Sequence, residues 1–348
     1  MTKLKPLPPD DDEVSRTWNE RPDVIRQFIE LRPQYEQLCS EVAYILSKLL
    51  NSSDIEYSTI TSRAKTLKSF AEKVSRKQYE DPLNDITDLA AVRLVFLYRS
   101  DRSRIENIIE SEFEVIEKLD KVEEQEPDRF GYGALHYLVN LGRKSSGARY
   151  DDLKEMICEI QVRTVLQDAW AIIDHHLIYK QETDIPKVIK RKLNSLSGLF
   201  ETADDQFDRV RAEREIYRES VKSKLSKKGK LIDQELNLDT LWEFLRVRFP
   251  DKAVVKNPVS LSRVLSTAAN LGLDSLSDID LLLRQTKKAR DFMRESVPTA
   301  SGTAEVIRAI SLAYPEARQL FKLKPRTFDL LAEAERLFPL PENKRISD

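Results

Sequence analysis

Glu159, Gln161 and Arg163 alternate with Ile160 and Val162, so one face of this short run is polar and charged while the other is apolar. Charged groups are costly inside a core but natural around phosphates and a metal ion. Three upstream clusters could join them. SRAKTLKSFAEK supplies Arg63, Lys65, Ser69 and Lys73, the last three spaced by four as on one helix face. Such a face is either a solvated basic surface or a set of donors converging on a polyphosphate. Asp88 opens an apolar run that also carries Arg93, and its carboxylate could cap that element or hold Mg²⁺. In RFGYGALHY, Gly131 and Gly133 flank Tyr132, and His136 follows. That ring is either a turn anchor or a platform for a flat base.

Together the clusters describe phosphoryl-type transfer. Asp88 and Glu159 pair as carboxylates for one Mg²⁺, which ordinarily takes one or two carboxylates and completes its shell with substrate phosphates. Basic groups neutralise those phosphates, and Tyr132 stacks a base. This chemistry rests on positioning and charge neutralisation, so it requires no Ser, His or Cys nucleophile. A GxxxxGK phosphate loop does not occur in the sequence.

The series SRAKTLKSFAEK, DITDLAAVRLVF, FGYGALHYLV and EIQVRTVLQDAWAIIDHHLIYK resembles the RelA/SpoT-type synthetase domain over roughly residues 40–200. That resemblance implies a nucleotidyltransferase-like fold and transfer of pyrophosphate from ATP to the ribose 3′-hydroxyl of GDP or GTP. By position, Arg63 and Arg93 match the arginines around the donor adenine, and Lys65, Ser69 and Lys73 the groups on its phosphates. Asp88 matches a Mg²⁺ ligand, and Glu159 a second ligand or general base. Tyr132 matches the tyrosine on the acceptor guanine and His136 a neighbouring polar contact; Gln161 and Arg163 fall in the same motif on the acceptor side.

Two departures qualify what is implied. Bifunctional relatives carry a metal-dependent hydrolase domain, whereas the histidines here are His136, His175 and His176, all in the synthetase-like block; small stand-alone synthetases are the nearer comparison. Many alarmone-making members also place a lysine four residues before the stacking tyrosine and an arginine just after it. Here those positions are Asp128 and Gly133, behind an acidic KVEEQEPD segment that repels a free di- or triphosphate. Some toxic small relatives share that loss and modify the tRNA 3′ end or adenine nucleotides, so tRNA is the alternative acceptor. A non-catalytic nucleotide-binding regulator is a third reading, opposed by retention of Arg63, Lys65, Lys73, Asp88, Tyr132 and Glu159 together.

The elements that must position these residues are α/β in pattern. Residues 1–16 read as disordered. Val24, Phe28, Leu31, Tyr35, Leu38, Val42, Ile45 and Leu49 recur at helical steps from about Arg21 to Leu50, with Pro33 expected to kink or split the helix. A second helix is expected from about Tyr57 to Tyr79. Asp88–Tyr98 reads as a central strand covered on both faces. A helix over 101–112 and strands at FEVIEKL, ALHYLVNLG and MICEIQV complete a mixed sheet flanked by helices, an α/β (α+β) domain over 17–200. Residues 201–230 read as a helical, basic linker. An all-helical region, 231–348, follows, with turns at Pro250, Pro258, Pro298 and Pro315; its expected role is regulatory.

With 348 residues, two domains are expected. Fifty-seven basic and 59 acidic side chains leave a net charge of −2, so nucleic-acid binding through overall charge is not indicated. Cys39 and Cys158 lie too far apart in sequence for a zinc motif and read as buried free thiols. The polar start MTKLKPLPPDDDEVSR is not a signal peptide, and apolar runs stay well short of the roughly 20 residues of a membrane helix. A cytoplasmic protein away from membranes is expected, with homo-oligomers as in small relatives.

Overall fold

Backbone pairing in the N-terminal half is organised by one parallel strand contact. In the computed structural model, which describes residues 12–77, 79–120, 133–177, 187–226, 234–252, 258–299 and 301–340, the chain divides into units Met1–Val210 and Arg211–Asp348. In the first unit, helices α1 (Asp12–Glu20) and α2 (Pro22–Ser52) precede strand β1 (Tyr57–Ala64). Helices α3 (Leu67–Lys77) and α4 (Pro82–Asp85) lead to β2 (Ala90–Phe96), and α5 (Arg102–Glu112) to β3 (Glu114–Asp120). Strands β4 (Leu135–Asn140) and β5 (Cys158–Thr164) run into helix α6 (Val165–Leu177). The sheet order is β1-β2-β5-β4-β3; β2 and β5 are parallel and the other neighbours antiparallel. It is the expected mixed sheet flanked by helices.

One sheet face is the core. Val92, Leu94, Ile160, Val162, Tyr137 and Val139 are buried together with Phe28, Leu38, Val42 and Leu46 of α2. Phe28 stacks on Phe70 of α3 with ring centroids 4.1 Å apart. Pro33 does not split α2, which runs 31 residues through it. An interior proline costs about 3 kcal/mol, and the fully buried Phe28, Leu38, Val42, Leu46 and Leu50 outweigh it at about 1.5–3 kcal/mol each. Cys39 and Cys158 are buried free thiols.

Tyr57–Ala64 is a strand, where helix was expected. Thr59, Ile60 and Thr61 are β-branched, and the hydrogen-bonding edge of β2 needs a partner, which β1 provides from Tyr57↔Phe96 to Ala64↔Ala90. Lys65, Ser69 and Lys73 therefore do not share one helix face: Lys65 lies between β1 and α3, the other two on α3. Strand β2 is also not covered on both faces throughout. Ala90, Val92 and Leu94 are buried, whereas Ala91 and Arg93, on the opposite face, are only partly so.

Helix α7 (Lys187–Ser226) is one 40-residue element, and the division between units falls within it. The second unit contains α8 (Leu238–Arg248), α9 (Pro258–Asn270), α10 (Leu276–Gln285), α11 (Lys287–Ser296), α12 (Gly302–Ala313) and α13 (Pro325–Leu337). Asn237 and Ser275 start α8 and α10 through reciprocal capping boxes. Leu241, Phe244, Val264, Ile279, Leu283, Val306 and Ile310 form its core. Beside that core lies a buried carboxylate, Glu305, held by Lys252 at 2.5 Å, by Arg294 at 3.2 Å and by Arg290. Among the described residues, no helix is long and apolar enough to cross a membrane.

Candidate active site

Strand register assembles the site. Directly opposed residues of neighbouring strands share a face, and two rows follow on the face away from α2. One is Arg63, Ala91, Glu159 and Leu138; the next is Thr61, Arg93, Gln161 and His136. Arg163, opposite Val95, continues it along β5. Six of the expected residues, from four strands, thus lie within two adjacent rows and one further position.

Arg63 and Arg93 are diagonal neighbours, and diagonal positions lie roughly 7–8 Å apart. A flat ring between two planar groups needs about 3.5–4.0 Å on each side. The spacing suits a base sandwiched between guanidinium planes, over the small floor of Ala91. A cleft of ≈ 170 Å³ opens there, lined by Thr61, Arg63, Ala91, Arg93 and Gln161.

A second cluster forms where α3 meets the start of β2. Lys65 Nζ and Lys73 Nζ donate to the two oxygens of Asp88 at 2.5 and 2.8 Å. Burial pushes the Asp88 carboxyl up, but the two lysines outweigh it and hold the carboxyl below its usual range. Burial lowers Lys65, against the pull of Asp88, with Lys73 and Arg63 adding repulsion. Thr66 caps α3 by accepting from the Ser69 N–H at 3.2 Å, and its hydroxyl donates to Ser69 Oγ at 3.0 Å. Ser69 is exposed at this turn and not hydrogen-bonded to Asp88.

Glu159 is the centre of a third group. His136 Nδ1 lies 2.6 Å from Oε1, and Gln161 Nε2 donates to Oε2 at 2.9 Å. Burial raises the Glu159 carboxyl; the His136 and Gln161 hydrogen bonds outweigh burial and hold it below its usual range, while the charge of Asp88 works against them. The two carboxylates therefore feel one another. Gln161 in turn accepts from Arg163 Nη2 at 3.2 Å, so a continuous chain runs from His136 to Arg163.

The residue that sequence reasoning missed is Asp168. It forms ion pairs with both Arg93, at 3.2 Å, and Arg163, at 3.4 Å. A signal was present: Thr164 and Gln167 have capping-box spacing. Thr164 Oγ accepts from the Gln167 N–H at 3.1 Å and the Thr164 N–H donates to Gln167 Oε1 at 2.8 Å, which starts α6 and puts Asp168 in its first turn. Behind that cap, the Thr164 hydroxyl donates to buried Asp204 of α7 at 2.6 Å. Trp170 packs edge-on against Phe200, a structural contact. Tyr132 and Asp128 lie outside the described residues; Gly133 lies in the loop before β4.

No group of three or more His, Cys, Asp or Glu that could hold a metal occurs among the described residues. Two mutually repelling carboxylates, Asp88 and Glu159, are a donor set that fits a hard cation taking its remaining ligands from phosphate and water, not an all-protein cage. His136 is committed to Glu159 through Nδ1, and His176 lies exposed on α6.

A family description, "Region found in RelA / SpoT proteins", matches residues 62–184, which span β1 to the end of α6. Over this region the chain is similar to RelA/SpoT proteins. Among curated relatives, GTP pyrophosphokinase YjbM of Bacillus subtilis is 28% identical over 166 residues, covering 46% of this chain and 74% of the relative. GTP pyrophosphokinase YwaC of the same organism is 26% identical over 158 residues, covering 44% and 72%. The crystal structure of small alarmone synthetase 1 from Bacillus subtilis superimposes with a TM-score of 0.45 at 22% identity, over 54% of this chain and 97% of that one. The RelA/SpoT region lies within the first unit; the helices α8–α13 lie outside it.

Proposed function

We propose that this RelA/SpoT pyrophosphotransferase moves the β,γ-pyrophosphate of ATP to the 3′-hydroxyl of a guanine nucleotide, GDP or GTP, making (p)ppGpp with Mg²⁺. The acceptor oxygen attacks the β-phosphorus, the bond between that phosphorus and the α,β-bridging oxygen breaks, and AMP leaves. The carrying observation is the strand register that sets Arg63 and Arg93 at one end of a sheet face and Glu159 with His136 at the other. A base fits between the arginines; Lys65 and Lys73 are the cations for the polyphosphate. Asp88 and Glu159 would hold Mg²⁺, which supplies charge neutralisation when bound. Glu159, hydrogen-bonded by His136 and kept ionised, is oriented to accept a hydrogen bond from the incoming hydroxyl. Tyr132, following the family resemblance, would stack the acceptor base.

Incubation with γ-labelled ATP and, separately, GDP, GTP, ATP or bulk tRNA tests the acceptor. Label in a tetraphosphorylated guanosine from GDP, or a pentaphosphorylated one from GTP, is expected. Label on tRNA alone would overturn the guanine-nucleotide acceptor, and label on none of them would overturn transferase activity in the isolated chain.

A further inference from the structure

Arg93 and Arg163 stand on adjacent parallel strands, two positions apart on one face, because Arg93 opposes Gln161 and Val95 opposes Arg163. Two guanidinium groups so placed repel. Burial lowers Arg163 first, and the charge of Arg93 lowers it further, with Asp168 acting in the opposite sense. Both arginines keep a buried Nε without a hydrogen-bond partner among the described residues, so each is tethered at its tip rather than along its length. Both tips reach one atom: Arg93 Nη1 and Arg163 Nη1 lie 3.2 and 3.4 Å from Asp168 Oδ1. That carboxylate is itself fixed, in the first turn of α6 behind the Thr164–Gln167 cap.

From this arrangement we infer that Asp168 is a positioning residue of the donor site: it holds two mutually repelling arginines in register so that Arg93 presents its guanidinium face to the cleft shared with Arg63. The inference rests on the donor reading of that cleft. Asp168 itself does not line the cleft; its effect passes through Arg93. Arg163 is the other party, pinned additionally by Gln161 at 3.2 Å. It is the better anchored of the two, and loss of the shared carboxylate displaces Arg93, whose side chain is 35% exposed against 12% for Arg163.

The test uses the full chain and equilibrium binding, by calorimetry, of an ATP analogue with methylene in place of the α,β-bridging oxygen, with Mg²⁺ and no acceptor. Asp168→Asn is expected to weaken the analogue about tenfold or more, as loss of a buried charge partner does, and to raise the KM for ATP while kcat at saturation changes about threefold or less. Arg163→Gln alone should bind the analogue about as wild type does, because Asp168 then serves Arg93 only. The double variant Asp168→Asn with Arg163→Gln should recover most of the lost affinity, because the repulsion is gone; a merely structural role for Asp168 predicts no such recovery. Equal binding by wild type and Asp168→Asn overturns the positioning role, as does a double variant no better than Asp168→Asn. Wild type that does not bind the analogue overturns the donor reading instead. Should Asp168→Asn fail to fold, Arg163→Gln with tenfold weaker binding is the overturning result.

Discussion

Replacing Asp88 with Asn removes the charge on which Lys65 and Lys73 converge, at 2.5 and 2.8 Å. A hydrogen bond to a charged group contributes about 1.5–3 kcal/mol, so the pair holds roughly 3–6 kcal/mol before screening. With the Asp88 side chain 25% exposed, a loss of about 2–4 kcal/mol in stability is expected. The asparagine amide makes matters worse by turning an NH₂ group toward one of the ammonium groups. Activity should fall further: in the proposed Mg²⁺-holding role, Asp88 is worth about 3–4 kcal/mol in the transition state, and its loss reduces turnover roughly 10²–10³-fold. The pH dependence separates the two effects. The Asp88 carboxyl is held below its usual range, so its stability contribution is present above the unfolded value near pH 3.9 and is lost as pH falls through the lower folded value. Asp88→Asn lacks that acid loss. Lys65, deprived of the partner that raises it, drops further below the ordinary lysine range, so the variant gains more stability than wild type as pH rises on the alkaline side. Label transfer from γ-labelled ATP and urea unfolding between about pH 3 and about pH 10 measure these quantities. Turnover within about threefold of wild type at saturating Mg²⁺ and ATP would refute the proposed Mg²⁺-holding role of Asp88.

The remaining expectations concern three other carboxylates. Glu159→Gln should reduce turnover by about 10²-fold or more; its amide also sets a donor against Gln161 Nε2, which donates to Glu159 at 2.9 Å, so a drop of about 1–3 kcal/mol in unfolding free energy should accompany it. Full turnover in this variant would remove Glu159 from the mechanism. Glu305→Gln, in the second unit, strips the partner from Lys252, Arg290 and Arg294 and should cost about 3–5 kcal/mol in denaturant unfolding. Because the Glu305 carboxyl is held far below its usual range, burial being outweighed by Lys252, Thr299 and the arginines, wild type should keep this contribution until strongly acid pH. Asp204 is pushed up to about 7 by burial, with Asp208 and Asp205 adding to it and Arg99 opposing. Between about pH 3.9 and about 7 the folded state then binds a proton that the unfolded state has lost, so stability falls as pH rises through that window. Asp204→Asn should flatten the fall, and an unchanged slope would count against the raised carboxyl.

What the sequence determined by itself is chemical identity and alternation. The period of two in Glu159, Gln161 and Arg163 put them on one strand face, and β2–β5 were legible as strands because β-branched and aliphatic residues cluster between turns. The long buried stripe of α2 was equally plain. The tertiary structure decided which strands are neighbours, since register is a non-local choice made by burying one whole face. Lys65, Ser69 and Lys73 show the difference. Their four-residue spacing mimicked a helix face, yet pairing of β1 with β2 left Lys65 in the link just past the end of β1, and Asp88 brought Lys65 together with Lys73 of α3 while Ser69 stayed at the cap. Asp168 was hidden for a related reason. The Thr164–Gln167 spacing puts it in a first helical turn, but only the adjacency of β2 and β5 makes one carboxylate the partner of two arginines 70 residues apart in sequence (Arg93 and Arg163).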